Sequence, residues 1–386
     1  MNVAVIVKSL QIGGMERAAI NLSELFSSQG HQTHLIYLQD KNQVLTPNKT
    51  VHLHLIDLEI IFKKKYFSGY LKVLFKILNS ILRQSYFWWK GIIYTNIFNT
   101  KFQDIESVHG KFDIVIIRGH STIEMIWKFK HQNLIVQQVN ILPEMKKSFL
   151  KHFYRRSIFS NKHVVCNSKT ILKELRSGFL TSKVVAKSLN VIASPVNNNL
   201  ILKKATEYNI SFERKYIINV GRLTPTKNIE LLINAFSYAH KNLGLKHSLV
   251  IVGEGKSKEI LQKQSKELHL DEYIFFTGSL ENPYPWLKNA DLFVFTSKNE
   301  GLPNVLLESL VCQTNIVATK GRGGTLDIMS GELKENLTSF NIKELAEKIV
   351  ETLKNKQDIN FERHLQPYAS KTIIQSYLEY TTSKYL

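Results

Sequence analysis

The run Thr296-Ser-Lys-Asn-Glu300-Gly-Leu-Pro-Asn-Val-Leu-Leu-Glu308 predicts a turn from a buried strand into a helix. The residues before it, Asp291-Leu-Phe-Val-Phe295, are apolar without alternation, which is typical of a parallel strand buried on both faces. Gly301 frees the backbone to turn, and Pro303 suits the first helical position because its missing N–H is not needed there. The stretch therefore indicates an α/β fold with parallel sheets.

Two carboxylates of this run are expected at a ligand-binding edge. Glu300 should lie at the carboxyl end of the strand, and Asn304 and Glu308 should share one helix face that looks toward the same crevice. Such crevices bind ligands in doubly wound sheets, and the backbone N–H groups of a helix N-terminus favour phosphate. The carboxylates can accept hydrogen bonds from sugar hydroxyls, although two solvated glutamates beside a structural turn fit the same pattern.

A second strand ends in a basic loop. Tyr216-Ile-Ile-Asn-Val220 opens into Gly221-Arg-Leu-Thr-Pro-Thr-Lys-Asn228 and then a helix with apolar periodicity. Arg222 can bind two phosphate oxygens at once, and Lys227 adds a compact charge beside it. The pair fits a diphosphate leaving group, and the alternative is an ordinary basic loop in a basic protein.

A third loop follows the first strand, Val3-Ala-Val-Ile-Val7. Gly13 and Gly14 precede a helix predicted over residues 15–28, and paired glycines at a helix start allow the backbone to approach a ligand closely. The pattern differs from the Gly-x-Gly-x-x-Gly dinucleotide fingerprint.

Together these loops resemble the retaining glycosyltransferases of family 4, and the order and spacing of the motifs agree from about residue 216 to 328. The resemblance rests on Gly13–Arg17, Val220–Asn228, Leu249–Gly255, Phe276–Gly278, Asn282–Pro285 and the glutamates Glu300 and Glu308 in a Glu-x7-Glu motif. It implies the GT-B fold of two facing Rossmann-like domains, a nucleotide-activated sugar donor, retention of anomeric configuration and no obligatory metal.

The resemblance also implies roles for individual residues. Arg222 and Lys227 match the pair that grips the donor diphosphate, Glu308 matches the glutamate on the ribose hydroxyls, and Glu300 matches the one near the donor sugar. Further donor contacts are expected at Gly13, Gly14, Gly278, Gly301, Leu302 and Asn304. Arg222, Lys227 and Glu300 are also expected to act in catalysis.

The family places a catalytic histidine after the fourth strand of the first domain. In Phe112-Asp-Ile-Val-Ile-Ile-Arg118-Gly-His120-Ser, either Arg118 or His120 stands at that place. The spacing alone leaves both open. His120 is the predicted catalytic residue, and a solvated loop histidine is the alternative.

The alternation of strands and helices predicts two domains and a C-terminal helix. The domains are expected at 1–197, which would bind the acceptor, and at 211–368, which would bind the nucleotide sugar. Residues 197–204 are read as part of the linker, and the helix at 369–386 is expected to pack back on the first domain. Strands are predicted near 2–8, 33–38, 51–55, 113–117, 134–139, 163–166, 190–193, 216–220, 248–252, 273–276, 292–295 and 315–318.

Positive charge is concentrated in the first half of the chain. Residues 1–195 carry 27 lysines and arginines against 11 acidic residues, out of a net charge of +19 for all 386 residues. Within 63–90, an apolar helical stripe is predicted, with lysines and arginine largely off it and aromatic anchors at 86–89. Its members are Leu71, Leu74, Phe75, Leu78, Ile81 and Leu82, and the basic residues are Lys65, Lys72, Lys76 and Arg83.

This basic stretch predicts contact with an anionic membrane surface, although a helix packed on the first domain fits equally well. No nucleic-acid partner is expected, because zinc spacings, aromatic RNA-binding patterns and helix-turn-helix signatures are missing from the sequence. The chain opens directly on a strand without a secretory leader, and no apolar run is long enough to span a bilayer. We therefore expect a cytoplasmic protein, peripheral on the inner face of the cytoplasmic membrane.

The predicted function is transfer of a sugar from a nucleoside diphosphate sugar to a membrane-linked glycan, such as lipopolysaccharide, O-antigen, capsule or an undecaprenyl-linked oligosaccharide. A UDP-sugar is favoured over a GDP-sugar, and the acceptor is lipid-linked or a saccharide. The alternative is a catalytically weak sugar-nucleotide-binding or scaffold subunit on the membrane surface. Fold alone does not separate the two, whereas intact donor-binding residues favour the enzyme.

Overall fold

The computed structural model describes residues 1–11, 13–40, 45–65, 68–81, 86–140, 142, 149–355 and 357–380. The chain divides into two compact units: unit 1 comprises Met1–Pro195 with Ser370–Leu386, and unit 2 comprises Val196–Ala369. Of the sequence predictions, those on Leu82, Arg83 and residues 381–386 lie outside the described residues. None of the helices within the described ranges is long and apolar enough to cross a bilayer.

Unit 1 is built on a parallel sheet with strand order β3-β2-β1-β4-β5-β6-β7. Its strands are β1 Asn2–Val7, β2 Gln32–Tyr37, β3 Val51–Leu55, β4 Ile114–Arg118, β5 Leu134–Gln138, β6 His163–Cys166 and β7 Ser188–Val191. Its helices up to residue 182 are α1 Gly14–Ser28, α2 Leu58–Lys65, α3 Ser68–Ile81, α4 Tyr86–His109, α5 His120–Met125, α6 Phe149–Phe159 and α7 Lys169–Ser182. The central strands β1 and β4 are buried along their length, as the apolar runs Val3–Val7 and Ile114–Ile117 within them predict.

Unit 2 repeats this plan with strand order β10-β9-β8-β11-β13-β15. Its strands are β8 Tyr216–Val220, β9 Ser248–Val252, β10 Ile274–Gly278, β11 Leu292–Phe295, β12 Asn299–Glu300, β13 Ile316–Thr319, β14 Arg322–Gly323 and β15 Leu337–Thr338. Its helices are α8 Asn198–Lys204, α9 Ile229–Asn242, α10 Lys258–Glu267, α11 Tyr284–Lys288, α12 Asn304–Val311, α13 Thr325–Ile328, α14 Ile342–Lys354 and α15 Phe361–Leu365, with short 3-10 turns at Pro225–Lys227, Gly331–Asn336 and Gln366–Tyr368. Strands β12 and β14 form a separate two-stranded sheet.

In each unit the strand order reverses between two central strands, β1 and β4 in unit 1 and β8 and β11 in unit 2. Ligands of doubly wound sheets bind outside the carboxyl ends of the strands at this reversal. Each predicted strand is found with its ends shifted by at most two residues. Strands β12, β14 and β15 were not predicted, because each of them has only two residues.

The C-terminal helix, α16 Ser370–Leu378, belongs to unit 1. Tyr377 is fully buried there, and its ring lies 5.9 Å from that of Phe26 in α1. The hydroxyl of Tyr380 accepts a 2.7 Å hydrogen bond from Asn190 Nδ2. The predicted return of the C-terminal helix to the first domain is therefore confirmed.

The linker expected at 197–204 is wrong, because most of it forms α8 in unit 2. The side chain of Asn197 caps this helix by accepting a 3.1 Å hydrogen bond from the amide of Leu200. Asn282 Nδ2 donates to the carbonyl of Lys204 at the other end, over 2.8 Å. Capping and tertiary contacts therefore stabilise a helix that its asparagine-rich sequence alone did not predict.

Candidate functional site

The loops that follow β8 and β11 are joined by hydrogen bonds at the reversal of unit 2. The amide of Lys298 donates to the carbonyl of Thr226 over 2.9 Å, and the Thr296 hydroxyl donates to the carbonyl of Lys227 over 2.9 Å. Ser297 Oγ also lies 3.2 Å from the carbonyl oxygen of Thr226. The two loops that carry the predicted donor-binding residues therefore form one surface.

Lys227 and Glu300 form an ion pair on this surface. Lys227 Nζ lies 2.5 Å from Glu300 Oε1, and Ser297 Oγ donates to the same oxygen over 3.0 Å. The two side chains are 19% and 20% exposed, so both are sheltered but reachable by a ligand. The sequence assigned them to the diphosphate and to the sugar separately, and the structure brings them together.

Arg222 lies on the same loop as Lys227, one residue after Gly221. Its side chain is exposed, and it makes no ion pair with any residue in the part of the chain that the structure describes. Its guanidinium is therefore available for an external anion, with geometry suited to two phosphate oxygens.

Glycines let the loop after β9 pack directly beneath the loop after β8. A Cβ atom on Gly253 would lie 1.9 Å from the carbonyl oxygen of Gly221, and one on Gly255 would lie 2.3 Å from that of Leu223. The amide of Leu223 donates to the carbonyl of Glu254 over 2.9 Å. Gly278, at the end of β10, has a φ of +78° that also favours glycine. The sequence analysis quoted Leu249–Gly255 as a motif but missed this supporting role.

Glu300 is held differently from the prediction. It lies five residues beyond the end of β11, in β12, which pairs in parallel with β14 through Asn299–Arg322 and Glu300–Gly323. Gly323 has a φ of +105°, and a Cβ atom there would meet the Glu300 carbonyl oxygen at 1.5 Å. The position of Glu300 therefore depends on a glycine more than twenty residues downstream, which local sequence patterns do not reveal.

Helix α12, which follows this loop, begins one residue later than predicted. Pro303 is the residue before α12 and not its first helical residue, and Asn304 and Glu308 lie one turn apart within the helix. Both side chains are half-buried, and Gly301 and Leu302 are buried in the turn before the helix.

Burial raises the pKa of the nearby Cys312 thiol to about 12, with a further contribution from the negative charge of Glu308.

In unit 1, the loops after β1 and β4 also meet. Helix α1 begins at Gly14, one residue before the predicted start, and Gly13 is its N-cap. The side chain of Met15 packs so closely on Gly119 that a Cβ atom there would lie 2.6 Å from its sulfur. Gly119, with φ +87°, separates the two candidates for the catalytic position, Arg118 and His120.

Arg118 is buried inside the sheet. Its Nη1 donates to Gln137 Oε1 over 2.5 Å and its Nη2 to Ser194 Oγ over 2.7 Å, while its side chain is 2% exposed. Burial lowers the pKa of its guanidinium. The contacts of Arg118 favour a structural role for it.

His120 is the first residue of α5 and lies closer to the surface, with a side chain that is 15% exposed. Its Nδ1 lies 3.3 Å from Gln138 Oε1, and its Nε2 pairs with the hydroxyl of Tyr154, which donates to Glu124 Oε1 over 2.6 Å. Burial lowers the pKa of His120, and Glu124 and Gln138 act in the opposite direction. The imidazole is therefore neutral at pH 7 and suited to hydrogen bonding. The sequence analysis missed Gln138, Glu124 and Tyr154, of which only Glu124 follows from helical spacing.

Comparison with known proteins agrees with this geometry. Residues 203–372 match the family model of group 1 glycosyl transferases. Over 169 residues the chain is 36% identical to the N-acetylgalactosamine-N,N'-diacetylbacillosaminyl-diphospho-undecaprenol 4-alpha-N-acetylgalactosaminyltransferase of Campylobacter jejuni, covering 44% of each chain. Over 184 residues it is 29% identical to an uncharacterized glycosyltransferase of Methanocaldococcus jannaschii, covering 47% of this chain and 45% of that protein. The chain thus spans less than half the length of these curated relatives.

The whole chain resembles solved structures. The crystal structure of Anabaena HepE in complex with UDP superposes with a TM-score of 0.68 at 15% identity, over 99% of this chain and all of that one. The likeness shows that the fold is GT-B, so the fold class predicted from the sequence is confirmed. Together with the family match, it supports a GT-B glycosyltransferase.

We expect Gly323→Ala to displace the Glu300 loop, because its Cβ atom would overlap the Glu300 carbonyl oxygen. Gly244→Ala is the matched control, since Gly244 also has a positive φ of +70° but open space around its Cβ position. Both variants carry the backbone cost of about 1–2 kcal/mol, and only Gly323→Ala adds the overlap. Thermal unfolding of the two variants measures the difference, and equal losses of stability would contradict the close contact.

Proposed function

We propose that this chain is a retaining glycosyltransferase that moves a sugar from a nucleoside diphosphate sugar to a membrane-linked glycan. The observation that carries the proposal is the surface at the reversal of unit 2, where Arg222 and the Lys227–Glu300 pair come together on hydrogen-bonded loops. The group 1 family match covers this surface. A sugar-nucleotide-binding subunit with little catalysis would share this surface, and the rate of donor hydrolysis separates it from the enzyme.

The donor diphosphate is assigned to Arg222 and Lys227. Two cations beside the departing diphosphate stabilise the negative charge that develops as the sugar–phosphate bond breaks. When phosphate oxygens reach Lys227, they compete with Glu300 for its ammonium, which frees the carboxylate to accept hydrogen bonds from the sugar. The ion pair of the ligand-free protein thereby holds both groups in place until the donor binds.

The contacts of the donor's ribose and base are proposed from the positions of residues in α12 and at the end of β10. Glu308 is one turn inside the helix and is proposed to hold the ribose hydroxyls, while Asn304 and the buried turn Gly301–Leu302 shape the surface beneath. Gly278 ends β10, the edge strand beyond β9, and is proposed to border the base. The UDP complex of Anabaena HepE supports UDP as the nucleotide. No metal is assigned to this site.

In unit 1, His120 is proposed as the catalytic histidine. Both ring nitrogens of His120 have partners in the ligand-free protein, Gln138 and Tyr154. The reacting sugar would replace one of these contacts, and the other would keep the ring oriented. Gly13 and Gly14 allow backbone amides at the start of α1 to approach phosphate.

The acceptor is proposed to be a glycan on a lipid carrier. The Campylobacter relative is named for transfer to a diphospho-undecaprenol-linked sugar. The match to the group 1 family model, over residues 203–372, includes the surface around Arg222 and Glu300. Lipopolysaccharide, O-antigen and capsule precursors share this chemistry of a saccharide held at a bilayer.

Helix α3 provides the proposed membrane face, though not with the predicted stripe. Phe75 is buried and Leu78 packs against the core of unit 1, so part of that stripe faces inward. A second apolar row, the α3 row, is exposed at one-turn spacing. It consists of Tyr70, Val73, Leu74 and Ile77.

Of the aromatic anchors expected at 86–89, Tyr86 and Trp89 pack against the core of unit 1, and the side chain of Phe87 lies outside the described residues. Trp88 stacks on Trp127 with centroids 5.3 Å apart and donates to the Ser157 hydroxyl over 3.2 Å. The side chains of Leu71, Ile81, Lys65 and Lys72 lie outside the described residues. The exposed lysines Lys63, Lys64 and Lys76 give the α3 row a basic surround suited to anionic headgroups. We therefore propose peripheral binding to the cytoplasmic face of the membrane.

Arg222→Ala and Lys227→Ala are each expected to slow donor hydrolysis by about 100–1,000-fold, as loss of one preorganised charge donor does. The measurement is nucleotide release from a panel of UDP-, GDP- and ADP-sugars, with circular dichroism to confirm folding. Lys241→Ala removes the same charge from the exposed end of α9 and should keep the wild-type rate. Wild-type rates in both site variants would overturn the assignment.

Glu308→Ala is expected to weaken UDP binding, because its carboxylate would lose the ribose hydroxyls. Glu300→Ala should leave UDP binding intact and impair transfer, since Lys227 remains and gains freedom to meet phosphate. Isothermal titration with UDP separates the two, and Glu259→Ala on the exposed face of α10 serves as control. Unchanged UDP affinity in Glu308→Ala would rule out the ribose role.

Replacing Lys63, Lys64 and Lys76 with glutamine should release the protein from anionic vesicles. Binding of the wild type should also fall at high salt, because surface charges are screened. Vesicle flotation with and without anionic lipid measures this, and the same exchange at Lys241, Lys256 and Lys266 in unit 2 is the matched control. Donor hydrolysis should persist in both triple variants. Equal flotation of the two triple variants, or no flotation of the wild type, would refute the membrane face.

A further inference from the structure

Four histidines gather at one edge of the sheet of unit 1. His34 lies on β2, His52 and His54 lie on the neighbouring β3, and His109 is the last residue of α4. The sheet register pairs His34 with His52, and His54 follows two residues later, so all three point to one face. The C-terminus of α4 covers that face.

Their rings are in direct contact. The His34 ring lies 4.7 Å from that of His52 and 5.1 Å from that of His54, both stacked, and 4.7 Å from that of His109 in an edge-to-face arrangement. One ring nitrogen from each of His34, His54 and His109 lies within 4.8 Å of the other two. Three imidazole nitrogens this close can converge on one ion after small rotations of the rings.

One ring nitrogen of His34 is buried without a hydrogen-bond partner among the described residues. The residue is fully buried, its Nδ1 shares a 2.9 Å hydrogen bond with His54 Nε2, and its Nε2 is the buried atom without a hydrogen bond to any described residue. A buried polar atom without a partner costs about 1–3 kcal/mol. A rearrangement of these imidazoles around an ion would remove that cost.

The chemistry of the group suits a metal that prefers nitrogen. Within the described residues, the ligand atoms that lie within 4.8 Å of one another are the imidazole nitrogens of His34, His54 and His109. The C-terminal end of α4 also carries the negative end of a long helix dipole, which favours a cation at His109.

We propose that His34, His54 and His109 form a structural site for a divalent first-row transition metal ion, with Zn²⁺ as the best match. Imidazole nitrogens suit Zn²⁺ at about 2.0–2.1 Å, whereas Mg²⁺ and Ca²⁺ prefer oxygen. Three imidazoles fill three tetrahedral positions and leave the fourth to water. Binding uses the lone pairs of neutral rings and requires no redox step.

The position of the cluster indicates a structural function. His109 precedes β4, and its carbonyl accepts a 3.1 Å hydrogen bond from Asn2 at the start of β1, so the cluster lies toward the amino ends of the strands. Gly13, Gly14 and His120 lie at the opposite, carboxyl ends. The ion would join β3, an edge strand with exposed Leu53 and Leu55, to β2 and α4.

The test uses the full chain without a histidine tag, stripped with EDTA and titrated with Zn²⁺ by calorimetry. One ion per chain is expected, together with a higher midpoint of thermal unfolding, because an ion that binds only the folded state stabilises it. Co²⁺ as a probe should give the visible absorption of a tetrahedral site.

His54→Gln and His109→Gln, tested singly at these half-buried positions, should each lower the affinity by more than the roughly 10–100-fold that loss of a supporting neighbour costs. They should also abolish the thermal shift. His52→Gln is the matched control, because His52 stacks on His34 but lies outside the three-nitrogen group. Circular dichroism establishes that each variant is folded.

Three results would overturn the site. The first is a stripped wild type that binds no Zn²⁺, and the second is wild-type affinity in both His54→Gln and His109→Gln. The third is an equal loss of affinity in His52→Gln, which would show a different set of ligands.

Discussion

The hydrogen bonds that join the loops after β8 and β11 are the constraint on which the proposed donor site depends. The backbone contact between Lys298 and Thr226 places Lys227 beside Glu300. In a sheltered ion pair the loss of hydration offsets much of the attraction between the charges, so the pair serves orientation more than folding. The backbone bonds fix the loops, and the ion pair then fixes two side chains that a ligand can separate.

The sequence predicted those parts of the molecule whose cause is local. Unbroken apolar runs such as Val3–Val7 revealed the strands, and the turn at Gly301–Pro303 placed α12 within one residue. It missed β12 and β14 because a two-residue pairing depends on Gly323 coming close to Glu300 across the fold. The choice between Arg118 and His120 was also beyond the sequence, since only the partners Gln137 and Ser194 show that Arg118 is buried.

In the basic amphipathic stretch at 63–90, the periodicity predicts a helix but does not predict which of its apolar faces is buried. Its spacing predicted a helix correctly, because apolar residues recur every three to four positions in α3. A helix that is apolar on two sides has more than one face that can pack, and tertiary contacts decide between them. Here Phe75 and Leu78 turn inward, which leaves Val73 and Ile77 exposed and makes the outer face the candidate surface for lipid.

The amino and carboxyl ends of the unit 1 strands differ in their electrostatic environment because the strands of the sheet are parallel. All strands run one way, so the carboxyl ends receive the starts of α1 and α5 with their free N–H groups, and the amino ends receive the C-terminus of α4 with its carbonyls. The first environment favours anions and the second favours cations. Gly13, Gly14 and His120 lie in the first, and His109 with its neighbouring imidazoles lies in the second. The same topology that suits one edge to phosphate therefore makes the other the electrostatically favourable place for a metal ion.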